Sequence, residues 1–160
     1  MQDIPIIETT EQIMFYDTDA AGVVHNIAYL RFIEKNRTIL GSEIGLDYKE
    51  MSGQQTYGAV VRTEIDYNSP GFLGDDIIIR GWLADFSKVR FWCEFEVNRI
   101  SDQKNLVKSR QQLALVKMPG GKPLRLSLIH ISEPTRRRGI WYGGVRVKKK
   151  KRGGGGGGGG

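Results

Sequence analysis

Cysteine is close to absent: one of the 160 residues, Cys93, carries a thiol. That excludes an internal disulfide framework and a cysteine-built zinc cage. Histidine is scarce, with two in the chain, and no His, Cys or carboxylate spacing fits a metal site, so no metal is expected. No run of eighteen apolar residues occurs, so no membrane-spanning helix is expected. The opening MQDIPIIETTEQ has neither a basic flank nor a long apolar core and does not read as a secretory signal. A cytoplasmic location is expected. What is present, 39% apolar and 26% charged residues, suffices for one ordinary domain with a core.

The net charge of +6 is unevenly spread. The chain has 24 basic and 18 acidic residues. Residues 126–160 hold nine of the basic ones and a single acid, Glu133, a net of 9 − 1 = +8. Residues 1–125 keep 15 basic against 17 acidic, a net of −2. Basicity therefore belongs to the tail, and no nucleic-acid role is expected of the body. Leu126–Arg136, LSLIHISEPTR, resembles the conceptual translation of a transposase-type sequencing adapter, and the lysine and glycine runs after it fit read-through. The domain division expected is thus 1–125 as the working domain and 126–160 as a non-native or disordered tail, set aside from fold and site.

Along the body, Ile6–Phe15 reads as a strand, with Ile7, Thr9, Glu11, Ile13 and Phe15 on one face. Tyr16–Gly22, YDTDAAG, reads as a loop. Asn26 reads as the N-cap of a long, mostly buried helix that Gly41 ends. Residues 46–54 fit a short helix or turn. The period then changes to two. Strands are expected over Ala59–Tyr67, Asp76–Ala84, Lys88–Ile100 and Leu106–Met118, with a turn at Pro119–Lys122. One strand, one helix and four strands in series predict an α+β fold in which one face of an antiparallel sheet buries the helix.

The chemistry concentrates in Tyr16–Tyr29, YDTDAAGVVHNIAY. Asp17 and Asp19 lie in a small-residue loop just before a helix N-terminus. Unpaired backbone N–H groups there favour developing negative charge. They can polarise a carbonyl as an oxyanion hole does, an effect of about 3 kcal/mol per donor. A carboxylate beside such a carbonyl can attack it or activate water. Aspartates before helices also serve simply as caps and turn formers, and the residues alone leave both roles open. Cys93 alternates with Phe91 and Phe95, which points to core packing rather than nucleophilic work.

This segment resembles the D-x-D-x-x-G-V-V signature of the 4-hydroxybenzoyl-CoA thioesterase branch of the hotdog-fold acyl-CoA thioesterases. DYNSPGFLGDDI (Asp66–Ile77), FSKVRF (Phe86–Phe91) and LVKMPGGKP (Leu115–Pro123) resemble further family segments, and the likeness covers about residues 8–125. The resemblance implies a hotdog fold, an antiparallel sheet wrapped round one long central helix. It implies hydrolysis of an acyl-CoA thioester to a carboxylic acid and free CoA, with no cofactor beyond the CoA of the substrate. By position it makes Asp19 the catalytic carboxylate and gives the Asn26 backbone N–H the task of polarising the thioester carbonyl. Many bacterial members carry Tyr-His where this chain has His25-Asn26, so the candidate histidine, His25, is displaced by one residue. Gly22, Val23, Val24 and Tyr29 become substrate contacts. Ser87, Lys88 and Arg90 become contacts of the CoA phosphates, chemistry that lysine and arginine suit. Glu34 is either a helix carboxylate of the kind some distant branches use or one side of an ion pair with Lys35 or Arg37. The partners implied are an acyl-CoA or acyl-carrier-protein thioester and further copies of the chain, as a homodimer or homotetramer. The alternative function is a hotdog protein that binds such thioesters without hydrolysing them.

Overall fold

Period-two alternation in the second half of the chain is realised as long, successive antiparallel strands. The computed structural model describes residues 3–124 and 146–151. In chain order these form β1 (Asp3–Gln12), a single 3-10 turn (Phe15–Asp17), α1 (Asn26–Glu43), α2 (Tyr48–Gly53), β2 (Thr56–Tyr67), β3 (Asp76–Phe86), β4 (Arg90–Arg99), β5 (Asn105–Lys117), β6 (Lys122–Pro123) and β7 (Arg146–Lys151). Their spatial order is β2-β5-β4-β3-β1-β7, with β6 paired to β5. All pairings are antiparallel. The α+β expectation holds, with α1 across one face of the sheet. Of the segment set aside as a tail, Arg146–Lys151 lies along β1, in register from Glu8↔Arg146 to Asp3↔Lys151. Residues 125–145 and 152–160 lie outside the described residues, and the adapter-like stretch falls among them.

The inner face of the sheet follows the alternation. Ile77 and Ile79 on β3, Phe91, Cys93, Phe95 and Val97 on β4, and Leu113 and Leu115 on β5 are buried. They pack on α1 in two clusters. One holds Ile33, Leu40, Ile44 and Leu46; the other holds Val24, Ala28, Tyr29 and Phe32. Between the clusters sits Asn36, fully buried. Its amide donates to the Ile7 and Ile79 carbonyls at 3.0 Å each and to Thr9 Oγ1 at 3.1 Å. Its Oδ1 has no hydrogen-bond partner and faces Gly81, where a methyl group would collide with it and come within 2.8 Å of the Phe95 ring. Gly81 is thus the gap that lets an amide cross the helix–sheet interface.

Four sequence expectations need correction. The first strand ends at Gln12, and the chain turns at Phe15–Asp17, so Phe15 is 81% exposed instead of continuing the inward face. The N-cap of α1 is His25: its Nδ1 accepts the Ala28 N–H at 3.2 Å, and Asn26 is the first helical residue. The helix runs past Gly41. Leu46 N–H donates to the Gly41 carbonyl and Gly45 N–H to that of Ser42, the pair of bonds that closes a helix in a left-handed turn. Finally, α1 is buried on one side only. Ala28, Tyr29, Phe32, Ile33, Asn36 and Leu40 face the sheet, while Ile27 is 68% exposed and Leu30 is exposed too. Apolar residues nearly all round the first two turns are therefore more than one sheet can cover.

Candidate active site

The loop between β1 and α1 is built around Asp17. Its carboxylate is almost fully buried, accepts the Met14 N–H at 2.9 Å and pairs with the Arg31 guanidinium from the second turn of α1. Its carbonyl accepts the His25 N–H at 3.0 Å. One residue thus fastens the start of the loop, its end and the helix. Arg31 also lies over the Tyr16 ring, 5.4 Å from its centre.

Asp19 is held differently. Its main chain pairs with Val23, and Thr18 bridges Val24, so the loop doubles back on itself. Oδ1 accepts the amides of Ala21 at 2.8 Å and Val23 at 3.3 Å. Oδ2 has no partner among the described residues, and the side chain is exposed. Two amides therefore orient a carboxylate whose other oxygen is open to a reactant. Gly22 makes the reversal with φ +76°, and a Cβ there would meet nothing within 4 Å. Its requirement is the left-handed backbone, not crowding.

At the end of the loop the helix begins. The Ala28 amide is taken by the His25 cap. The Asn26 N–H, one residue into the helix, has no acceptor among the described residues, and the Asn26 carbonyl accepts the Tyr67 hydroxyl at 3.3 Å. As an acceptor of the Ala28 N–H, His25 Nδ1 carries no proton, which leaves Nε2 as the nitrogen able to donate.

A second segment braces the loop from the β2–β3 connection. Val24 N–H donates to the Gly71 carbonyl at 2.9 Å, Leu73 N–H to that of Gly22 at 3.2 Å, and Val23 bridges Phe72. That connection hangs on Arg99. Its guanidinium binds Asp75 at 2.9 Å, Asp102 at 2.9 Å and the Pro70 carbonyl at 2.7 Å. The hydrogen bond to Asp75 raises the Arg99 pKa above its ordinary value. Tyr29 is 3% exposed behind the loop, its ring 6.2 Å from that of Phe32 and 6.0 Å from that of Tyr67. Its hydroxyl faces Gly71 without a hydrogen bond of good geometry, and burial raises its pKa.

The structure thus gathers Asp19, Gly22, Val23, Val24, His25 and Asn26 at one end of α1, with Tyr29 beneath them. It does not bring Ser87, Lys88 and Arg90 to them. These form the exposed β3–β4 hairpin, where Ser87 Oγ accepts the Arg90 N–H at 3.2 Å. Eleven residues of β3, about 30 Å of strand, separate that hairpin from the loop end. Glu34 is exposed and forms no ion pair among the described residues; Lys35 turns instead to Glu11 at 2.9 Å. Arg31, Asp75 and Arg99 were not legible as loop supports. A helix arginine, a strand-end arginine and a turn aspartate each look solvated in the sequence, and only the tertiary pairing shows otherwise.

Comparison with known proteins places this geometry. A model of the thioesterase-like superfamily matches residues 13–131. The 1,4-dihydroxy-2-naphthoyl-CoA hydrolase of Synechocystis is 22% identical over 115 residues, covering 69% of this chain and 81% of that protein. A Bacillus subtilis protein provisionally named acyl-CoA thioesterase is 28% identical over 76 residues, 48% of this chain. The chain spans 55% of that relative's length, and 62% of an Aquifex aeolicus relative provisionally named an esterase. Among solved structures, a DHNA-CoA thioesterase from Staphylococcus aureus superposes with TM-score 0.71 at 21% identity, covering 77% of this chain and 82% of the other. A 1,4-dihydroxy-2-naphthoyl-CoA thioesterase from Synechocystis superposes with TM-score 0.69 at 22% identity, covering 76% and 89%. These likenesses give the fold as a hotdog.

Proposed function

The chain belongs to the thioesterase-like superfamily, and from that premise we propose that it hydrolyses an acyl-CoA thioester to a carboxylic acid and free CoA. The observation that carries this reading is the pairing of a half-free carboxylate, Asp19, with an unclaimed helix-start amide, Asn26, on one braced loop. The thioester carbonyl binds the Asn26 N–H, where the positive end of α1 favours the oxyanion. Asp19 then either attacks the carbonyl carbon, giving an anhydride that water opens, or takes a proton from the attacking water. In both routes the C–S bond breaks and the thiolate leaves to be protonated as CoA. A single turnover in H₂¹⁸O that labels the Asp19 carboxylate identifies the nucleophilic route, with water opening the anhydride at the aspartyl carbon; label in the product alone fits the base route or opening at the acyl carbon. Either route runs without a metal or redox cofactor; CoA enters as part of the substrate.

Ser87, Lys88 and Arg90 fit this reading as phosphate contacts only if a second copy supplies them, because within one chain they lie about 30 Å of strand from the loop end. The exposed Ile27 and Leu30 on α1 and Phe72 and Leu73 beside the loop support such a partner. A homodimer or homotetramer in the cytoplasm goes with this proposal. An acyl-carrier-protein thioester is the second substrate form, and binding without turnover is the competing function.

The test is thiol release from a panel of short, long and aryl acyl-CoAs by the full chain and its Asp19→Asn variant. Turnover that falls about 100-fold or more in the variant is expected for loss of the acid–base or nucleophilic carboxylate. Saturable binding of the same esters with no thiol released by the wild-type chain would replace hydrolysis with binding.

A further inference from the structure

At the far end of α1 lies a cavity of about 220 Å³ between the helix, α2 and the starts of β2 and β4. Leu40, Leu46, Phe91, Leu113 and Leu115 make its walls apolar. It is smaller than the roughly 300–1,000 Å³ of pockets that take drug-sized ligands, so it has room for a short acyl group and not for a coenzyme.

One wall is not apolar. Arg37, half-buried, lines the cavity and donates through Nη1 to Gln111 Oε1. Gln111 is itself buried and donates from Nε2 to Thr63 Oγ1 at 3.3 Å. Among the described residues, Arg80 and Arg99 are the other arginines that are not exposed, and each has a carboxylate: Glu8 at 2.6 Å and Asp75 at 2.9 Å. Arg37 has only the neutral amide. Glu34, one turn earlier and exposed, also lines the cavity; it acts on Arg37 at longer range and forms no ion pair among the described residues. Cys93, which also lines the cavity, supplies no anion, because burial pushes its thiol up to about 12.

A partly desolvated guanidinium without a carboxylate is costly. Its remaining N–H groups form a planar fork that suits a carboxylate bidentately. We propose that the cavity takes a short acyl group bearing a carboxylate at the end remote from the thioester, and that Arg37 is the residue that selects it. This rests on the thioesterase reading, with Asp19 arriving from a second copy, since the cavity lies eleven residues, about 16 Å, along α1 from Asn26.

The experiment compares kcat/KM for hexanoyl-CoA, adipoyl-CoA and 4-hydroxybenzoyl-CoA in the wild-type chain, Arg37→Met and Arg37→Lys. The wild type should favour adipoyl over hexanoyl by about 10- to 100-fold. That ratio should collapse toward one in Arg37→Met and recover in part in Arg37→Lys. A wild-type ratio near one, a ratio unchanged in Arg37→Met, or 4-hydroxybenzoyl-CoA as the strongly preferred ester would overturn the proposal. A parallel arm needs no turnover: hexanoate should raise the melting temperature of the wild type and hexanamide should not, and Arg37→Met should lose the hexanoate effect. If no ester is hydrolysed, the thioesterase reading fails while this arm still decides the pocket. Equal shifts with hexanoate and hexanamide, or none with either, would sink it.

Discussion

The two ends of α1 differ in how they treat charge. At the loop end nearly every charged group is spent on architecture: Asp17 is matched by Arg31, and Arg99 by Asp75 and Asp102. The exceptions are one oxygen of Asp19 and one amide at Asn26. At the other end the walls are mostly apolar; the charged residues lining them are Glu34, which is exposed, and Arg37, whose hydrogen bond goes to an amide. Arg80 and Arg99, the other half-buried arginines among the described residues, each have a carboxylate, and in the proposed site the unmatched groups are those a substrate would complete. One end offers an anion and a donor to a reacting carbonyl; the other offers a cation and a hydrocarbon-lined hollow.

The boundary between the ends is the strongest point at which to break this comparison. Gly81→Ala should drive a methyl into Asn36 Oδ1 and the Phe95 ring, costing about 3 kcal/mol or more, read as a lower denaturant midpoint. The Asn36 bonds to β1 and β3 should go with it, weakening both ends together.

The pocket end should show its apolar character in alkali. Cys93 ordinarily titrates near 9.0 and is pushed up to about 12 by burial. The folded state therefore holds this proton more tightly than the unfolded state. The contribution is fully present below about pH 9 and is lost as pH rises toward 12. Unfolding free energy should fall by about 3 kcal/mol between pH 8 and pH 11 from this group. Cys93→Ala should flatten that decline, and an unchanged slope would argue that the thiol is not desolvated.

At the loop end, Gly22→Ala meets no steric obstacle and pays only for its left-handed backbone, about 1–2 kcal/mol. It should disturb the Asp19–Val23 reversal, so thiol release should fall more than the melting temperature implies. A loss of stability with turnover unchanged would separate the loop from catalysis.

The order of strand, helix and four strands was legible because alternation survives wherever one sheet face is buried, as in Phe91, Cys93, Phe95 and Val97. It was less informative on β2, an edge strand with a bulge between Val60 and Arg62, exposed over much of both faces. Asp19 and Gly22 were singled out through the family resemblance; the Asx turn of the one and the left-handed backbone of the other are local features that the structure supplies. The cap was not legible: asparagine is the commoner capping residue, and only the helix start shows that His25 takes the place. Arg31, Arg37 and Arg99 stand at unremarkable spacings. Their different roles come from which carboxylates the fold brings to them, a tertiary fact with no local pattern.

In the proposed site the loop end of one copy works with the hairpin and pocket end of another. Complementation tests it most directly. An Asp19→Asn chain and a Lys88→Ala/Arg90→Ala chain are each assayed for thiol release at low acyl-CoA, then co-expressed and assayed again. Both should be weak alone, and the mixture should exceed the sum of the two, because mixed assemblies rebuild one site with an intact loop from one copy and an intact hairpin from the other. A mixture no more active than that sum, from chains shown to associate, would mean that loop and hairpin do not share a site across copies.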